Sequence, residues 1–436
     1  FTPAFDLNLE GLSSTPSLAL ADYNQDGLVD FVTSGRSNEI DANGNRILKT
    51  ILYRNIGGQF EIANDQLTGL AICDLVWGDA DNDGDLDLLG NGFSSFDPDI
   101  YSTILYENVG NNVFSEIEVA VGVSSGNAEF GDYDSDGDLD IAVFGNPDFS
   151  IDVAGRLYEN LGENEFILAF ELIDVVDAAI EWGDFDNDGD LDLAGTGYSL
   201  DLDTDVTFIY ENTFNIDGEF IFHDLGLNIF AGDIDAADFN NDGLLDLGIT
   251  GISSSIGFDP QAVVLQNNGG LNFSIFEFLP NHRFSFDWGD IDGDGLQDIV
   301  LTGVENNDYF ATRILRNDGG FGVSAPSIPK NLVSSVDQNS VNLSWENPDP
   351  EIRTYNISLY GDAGQVILPA INFFNNTVQI PGKGYTQNLF IEINGLDEGT
   401  YFWSVQANSG SDVLSDFSIE ESFEITYPLP VDTSPF

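Results

Sequence analysis

Six copies of one aspartate-rich nonapeptide punctuate the first three quarters of this sequence. The second copy reads Asp79-Ala-Asp81-Asn-Asp83-Gly84-Asp85-Leu-Asp87, and the others begin at Asp22, Asp132, Asp184, Asp238 and Asp290. Successive first residues lie 57, 53, 52, 54 and 52 positions apart. A period near 53 residues marks a repeat architecture, in which each unit buries its apolar surface against its neighbours.

The surroundings of the nonapeptide repeat as well. Before it runs an apolar stretch, as in Asp74-Leu-Val-Trp77-Gly78, Ile180-Glu-Trp182-Gly183 and Phe286-Asp-Trp288-Gly289. After it come short strand-like runs such as Leu139-Asp-Ile-Ala-Val-Phe-Gly145. A variable loop follows, then Leu52-Tyr-Arg-Asn55, Leu105-Tyr-Glu-Asn108, Leu157-Tyr-Glu-Asn160, Ile209-Tyr-Glu-Asn212, Leu265-Gln-Asn-Asn268 and Leu315-Arg-Asn-Asp318. A turn then leads to a strand opening on Phe60, Phe114, Phe166, Phe220 or Phe273. Each unit thus offers four short strands, and no long helical periodicity competes. Repeated four-stranded units of this length predict an all-β propeller, one blade per unit.

Alternate positions of the nonapeptide carry oxygen. Positions 1, 3, 5, 7 and 9 are Asp22, Asn24, Asp26, Leu28 and Asp30 in the first copy and Asp79, Asp81, Asp83, Asp85 and Asp87 in the second. They are Asp132, Asp134, Asp136, Asp138 and Asp140 in the third and Asp184, Asp186, Asp188, Asp190 and Asp192 in the fourth. The fifth has Asp238, Asn240, Asp242, Leu244 and Asp246, and the sixth Asp290, Asp292, Asp294, Leu296 and Asp298. Side chains at 1, 3, 5 and 9 converge on one ion if the loop curls, the carbonyl of position 7 can join them, and glycine at position 6 allows the turn. Hard oxygens in a flexible loop suit calcium, about six ions in all, better than zinc, copper or the tighter octahedron of magnesium. A single copy reads equally well as a solvated acidic turn; six with the same oxygen positions favour a metal. The first six positions match an EF-hand loop, but position 12 of the second copy is Gly90 where that loop needs glutamate.

These units resemble FG-GAP or VCBS repeats, the calcium-bearing blades of integrin alpha-chain propellers and of many bacterial surface proteins. The resemblance covers residues 1–322. It implies a calcium-stabilised propeller, commonly of seven blades; six units predict six here. Phe5-Asp-Leu-Asn-Leu9 looks like the outer strand of other units, and the last unit stops near Phe321, so the N-terminal strand is expected to complete the last blade and close the ring.

Residues 323–330 read as a linker with Pro326 and Pro329. Beyond it, Val341-Asn-Leu-Ser-Trp345 and Tyr355-Asn-Ile-Ser-Leu-Tyr360 alternate as half-buried strands. Residues 331–427 resemble a fibronectin type III domain, with Trp345 as core tryptophan and Tyr401 as corner tyrosine. Residues 428–436 read as a linker toward a further segment. The chain opens on Phe1 and holds no methionine, which points to a processed product whose signal peptide is gone.

Aspartate and glutamate number 76 against 11 lysines and arginines. The six nonapeptides hold only 25 of those acids, so metal binding leaves most of the acidity unexplained. Such a surface suits a saline medium and argues against nucleic acid or anionic lipid as direct partners. Cys73 stands alone and is expected to be a buried structural thiol. His223 and His282 belong to no recognisable triad, so an enzyme is not expected. The expectation is a secreted or cell-surface recognition and adhesion module, bacterial and from a saline environment, binding a glycan or surface protein. The alternatives are a structural spacer or subunit of a surface assembly and, behind that, an accessory domain of a polysaccharide-processing enzyme. Variable-loop aromatics, Phe96, Tyr101, Tyr309 and Phe310, are the candidate ligand contacts, since aromatic faces beside polar groups can stack on sugars.

Overall fold

A computed structural model describes residues 9–426, apart from 27, 97–98, 147–153, 163, 215–217, 255–258, 281, 292–295, 306–308, 320–325, 338–339, 349–351, 362–370, 373–376, 379–388, 394–395, 397 and 410–414. The described chain is all-β, with several small antiparallel sheets. Among the described residues no helix is long and apolar enough to cross a membrane.

Five sheets have four strands in simple sequential order. Sheet 1 holds β1 (Ser13–Ala21), β2 (Asp30–Ile40), β3 (Arg46–Asn55) and β4 (Phe60–Leu67). Sheet 2 holds β5 (Ala71–Gly78), β6 (Asp87–Phe96), β7 (Asp99–Asn108) and β8 (Phe114–Ala120). Sheet 3 holds β9 (Ala128–Gly131), β10 (Asp140–Gly145), β11 (Ala154–Asn160) and β12 (Phe166–Glu171). Sheet 4 holds β13 (Val175–Gly183), β14 (Asp192–Ser199), β15 (Thr204–Asn212) and β16 (Phe220–Asp224). Sheet 5 holds β17 (Ile234–Ala237), β18 (Asp246–Ser253), β19 (Asp259–Asn267) and β20 (Phe273–Phe278). Sheet 6 has three described strands, β21 (His282–Gly289), β22 (Asp298–Glu305) and β23 (Tyr309–Leu315). In every sheet the acidic nonapeptide joins the first strand to the second, and its position 9 opens the second strand.

The cores lie between sheets. Leu52 of sheet 1 shares a cluster with Trp77 and Leu88 of sheet 2; Leu89 of sheet 2 joins Ile141 of sheet 3. The same pairing continues from sheet 3 to 4, 4 to 5 and 5 to 6. A sheet packed on both faces loses the in–out alternation, and β10 is accordingly buried at every residue. The tryptophan before the loop packs on position 2 of the preceding loop: Trp77 stacks on Tyr23 at 5.9 Å and Trp288 on Phe239 at 5.9 Å. The glycine before the loop admits this approach, because a Cβ on Gly131 would come within 2.7 Å of the Trp182 ring. The outer members of the series lack such cover: Leu18 and Leu20 of β1 are 60% and 49% exposed, and Ile291, at position 2 of the sixth loop, 45%.

The first strands converge. Asn127 donates to the Asp74 carboxylate at 2.7 Å, and Asp233 and Asp235 accept from the backbone N–H of Phe286 and Trp288 at 3.2 and 3.0 Å. Burial, with the charges of Asp74 in sheet 2 and Glu181 in sheet 4 behind it, pushes the Asp233 carboxyl up to about 7.

After residue 326 a separate core forms. Strands β24 (Lys330–Asp337), β25 (Ser340–Glu346) and β29 (Phe390–Ile393) make one sheet; β26 (Ile352–Gly361), β30 (Gly399–Ser409) and β31 (Glu421–Ile425) make another; β27 (Ile371–Asn372) and β28 (Thr377–Val378) pair on their own. Residues of both larger sheets, among them Trp345, Ile391, Tyr355, Trp403 and Phe423, share one buried cluster. Trp345 and Tyr401 are buried as expected, and Trp403, to which no role had been assigned, is fully buried beside Trp345, with ring centroids 6.4 Å apart.

Candidate metal centres

Each described loop curls on its own side chains in the same way. Position 1 accepts the N–H of position 5: Asp22 from Asp26 at 2.9 Å, Asp79 from Asp83 at 3.2 Å, Asp132 from Asp136 at 3.0 Å, Asp184 from Asp188 at 3.1 Å and Asp238 from Asp242 at 3.0 Å. Positions 3 and 5 accept the N–H two residues on, as Asp81 from Asp83 and Asp83 from Asp85. Glycine at position 6 has positive φ, 98° at both Gly84 and Gly137, where a Cβ would be strained. Position 4 is left-handed too, at Gln25, Asn82, Ser135, Asn187 and Asn241.

Three loops bring three carboxylates together, with one oxygen of each within 4.8 Å of the others: Asp79, Asp81 and Asp87; Asp132, Asp134 and Asp136; Asp184, Asp186 and Asp192. These are the described loops with aspartate at position 3. In the first loop the Asn24 amide donates to Asp30 at 3.0 Å, and the fifth loop has Asn240 there. Of the sixth loop, Asp292 and Asp294 lie outside the described residues, while Asp298 accepts from Ile291 and Asn317 N–H at 3.2 and 2.8 Å. Leu28, Leu244 and Leu296 offer no side-chain oxygen at position 7.

Crowded, buried carboxylates are held back from ionising. Burial raises Asp87, Asp192 and Asp246 to about 8, Asp140 to about 9 and Asp30 to about 7, against hydrogen bonds that act the other way. At position 3 burial and then the neighbouring position 5 charge lift Asp81 and Asp134 to about 6. A cation at these oxygens would reverse that effect. The donor set, carboxylates and carbonyls only, fits a hard divalent ion such as calcium. Asp190 adds a buried oxygen, Oδ1, without a hydrogen-bond partner.

A residue with no role in the sequence reading holds each loop. Asn160, at the end of β11, gives its N–H to Asp140 at 2.9 Å and its side-chain amide to the Leu139 carbonyl at 3.1 Å and to the Ala80 carbonyl of the preceding loop at 2.8 Å. Asn212 and Asn267 repeat all three bonds, the last to Tyr133 and Phe185, and Asn317 reaches Phe239. The recurrent Leu-Tyr-Glu-Asn was the available signal. Its alignment slips by one residue in two units: the asparagine in register is Asn267, not Asn268, and Asn317 rather than Asp318. Leu265 and Leu315 stand where the other units have tyrosine, which hid this.

The candidate ligand aromatics sit in strands rather than loops. Phe96 ends β6 and pairs with Asp99, Tyr101 lies in β7, and Tyr309 and Phe310 open β23. Phe96 and Tyr101 pack on Phe93 at 4.6 and 5.5 Å, and the Arg36 guanidinium stands 5.0 Å from the Phe96 ring. The side chains of Tyr309 and Phe310 lie outside the described residues, as do Phe5 to Asn8, Phe321 and residues 428–436. The Cys73 thiol donates to the Ser34 carbonyl at 3.7 Å, and burial pushes it up to about 12, far from a reactive thiolate. His223 pairs with Glu211 at 2.7 Å.

No protein-family model matches the sequence and no curated protein matches it. Solved structures that match include a family 28 exopolygalacturonase from Yersinia enterocolitica, at 19% identity, 23% of this chain, 21% of that one and a TM-score of 0.17. The extracellular domain of a hybrid two-component system from B. thetaiotaomicron matches at 10% identity, 97% and 56% coverage and 0.38. Rhamnogalacturonan lyase YesW matches at 13% identity, 96% and 91% coverage and 0.35. The chain spans about a fifth of the first and just over half of the second. At these scores the likeness assigns no activity.

Proposed function

We propose that this chain is a calcium-stabilised, non-enzymatic recognition or adhesion module that works outside the cell. One observation carries the calcium reading: loops about 53 residues apart curl identically around converging carboxylates whose burial is costly without a cation. Loaded with calcium and weighed by native mass spectrometry, the full chain is expected to carry several ions, up to about six. A chain that retains none at millimolar calcium would overturn the reading.

The six sheets are then blades of one propeller of the FG-GAP or VCBS type. Two features support a ring. The Leu20 and Ile291 positions pair in every other interface, as Trp77 with Tyr23 and Trp288 with Phe239, and both are left exposed at the ends of the series. The Tyr53 hydroxyl accepts from Glu10 N–H at 3.3 Å, where Tyr158 and Tyr210 accept from Val121 and Ile173 in the links between sheets. Residue 10 therefore stands where a link from a preceding sheet would run. The C-terminal module, with sheets of order β24-β25-β29 and β26-β30-β31 around Trp345, acts as a fibronectin type III-like spacer.

The ligand is a glycan or surface protein met by the sheet ends opposite the acidic loops. Alanine at Phe96, Tyr101, Tyr309 and Phe310 should weaken attachment on a glycan array at a temperature where the variant is still fully folded. A structural role in a surface assembly is the second reading, favoured by the packing of Phe96 and Tyr101 on Phe93 and Arg36. Normal attachment by the alanine variants would select it.

A further inference from the structure

Neighbouring loops touch through position 4. The Gln25 amide of loop 1 donates to the Gly84 carbonyl of loop 2 at 2.7 Å and to the Asp85 carboxylate at 3.3 Å. Asn82 of loop 2 donates to the Gly137 carbonyl of loop 3 at 3.2 Å and to Asp138 at 2.7 Å. Asn187 of loop 4 donates to the Gly243 carbonyl of loop 5 at 3.2 Å. Left-handed backbone at this position turns the side chain out of its own loop, and asparagine tolerates that conformation. The target each time is the turn glycine, with the position 7 carboxylate added where one exists.

Loop 3 breaks the series. Its position 4 is Ser135, also left-handed, whose short side chain donates nothing to loop 4. On the receiving side, the Asp190 oxygen Oδ1 is buried and takes no donor from loop 3, its carboxylate lying beside Asp188 of its own loop. Asp85 and Asp138, at the same position, have the donor that Asp190 lacks. A donor side chain too short to cross and an acceptor that it leaves unfilled thus mark the same junction from its two sides.

The geometry points to calcium loops that fill in coupled blocks, loops 1 to 3 together and loop 4 with loop 5, with the coupling carried by the position 4 amides and interrupted at Ser135. An ion in loop 2 fixes the turn that holds Asn82, and so pre-orders the Gly137 turn and the Asp138 side chain of loop 3. The second ion then binds a loop already ordered, which is positive coupling. No such arm joins loop 3 to loop 4. This rests on the calcium reading of the loops.

The test follows amide hydrogen exchange of each loop, in the full chain stripped of metal and titrated with calcium. In Asn82→Ala the calcium midpoint for protection of residues 132–140 is expected to rise about fivefold, the lower end of ordinary coupling, while that of residues 238–246 stays put. Ser135→Asn is expected to lower the midpoint of residues 184–192 and draw it toward that of loop 3. If Asn82→Ala fails to fold, Gln25→Ala asks the same of loops 1 and 2. Loops that gain protection with calcium in every variant at unchanged midpoints would overturn the coupling alone. Loops that gain no protection even in the unaltered chain would overturn the calcium reading and the coupling with it.

Discussion

The repeated sheets and the C-terminal module use the same strands to solve different problems. In residues 330–425 two sheets close on a single core, and the largest buried side chain, Trp403, sits at its centre. In the repeats each core is shared between neighbours, and the sheet ends are tied by buried acids that repel one another. One region is therefore built around a single shared apolar core, whereas the other also gathers like charges at its sheet ends.

The largest expected effect separates the two regions directly. Excess chelator should lower the calorimetric transition of the repeats by more than about 10 °C and leave the C-terminal transition in place. Each site held at a hundredfold its dissociation constant contributes about 2.7 kcal/mol, and several are lost together. An unmoved repeat transition after confirmed metal loss would erase the contrast. Trp403→Ala should do the reverse, costing about 3–5 kcal/mol in the C-terminal transition only.

Asn160→Ala should cost about 2–3 kcal/mol in the repeat transition, because it strips the buried Ala80 and Leu139 carbonyls of their donor. Acid should sharpen the contrast more gently. The position 9 carboxyls, normally near 3.8, stand at about 7 to 9 in the folded metal-free loops. A raised folded value gives stability that is complete below about pH 4 and is lost as pH climbs through 7 to 9. Metal-free repeats should therefore melt higher near pH 5 than near pH 8.5, and calcium, which favours the charged form, should flatten or invert that slope. The smallest effect lies within the repeats: inside its own coupled block, loop 1 or loop 5, with Asn24 or Asn240 for a carboxylate, should be the weaker site and release calcium slightly ahead of its partners. Loops 2 and 3 emptying ahead of loop 1, or loop 4 ahead of loop 5, would contradict it.

Much of this was legible in the residues. The period, the four strands of each unit and the loop oxygens follow from patterns that backbone geometry enforces, since position 9 must open a strand and position 6 must turn. The asparagines at 160, 212, 267 and 317 were visible as a recurrence but not as locks, because their partners lie about 80 residues earlier and no local pattern encodes that distance. Position 4 was silent for a related reason: its side chain serves the next loop. Phe96 and Tyr101 were mistaken for loop residues because the hairpin beyond Phe96 is too short to announce itself.

The reach of those asparagines also bears on how such a chain changes length over generations. Units three to six each supply a lock for the loop of their predecessor. A duplicated unit dropped between two others brings one donor and one acceptor and finds both complements waiting, so no existing interface needs redesign. A unit cut out alone keeps the bonds of its asparagine to its own loop but loses the one that crosses to a neighbour. Descent by whole-unit gain or loss is thus written into the bonding, and the irregular steps are the ones to expect at the two ends, where a lock has only one side.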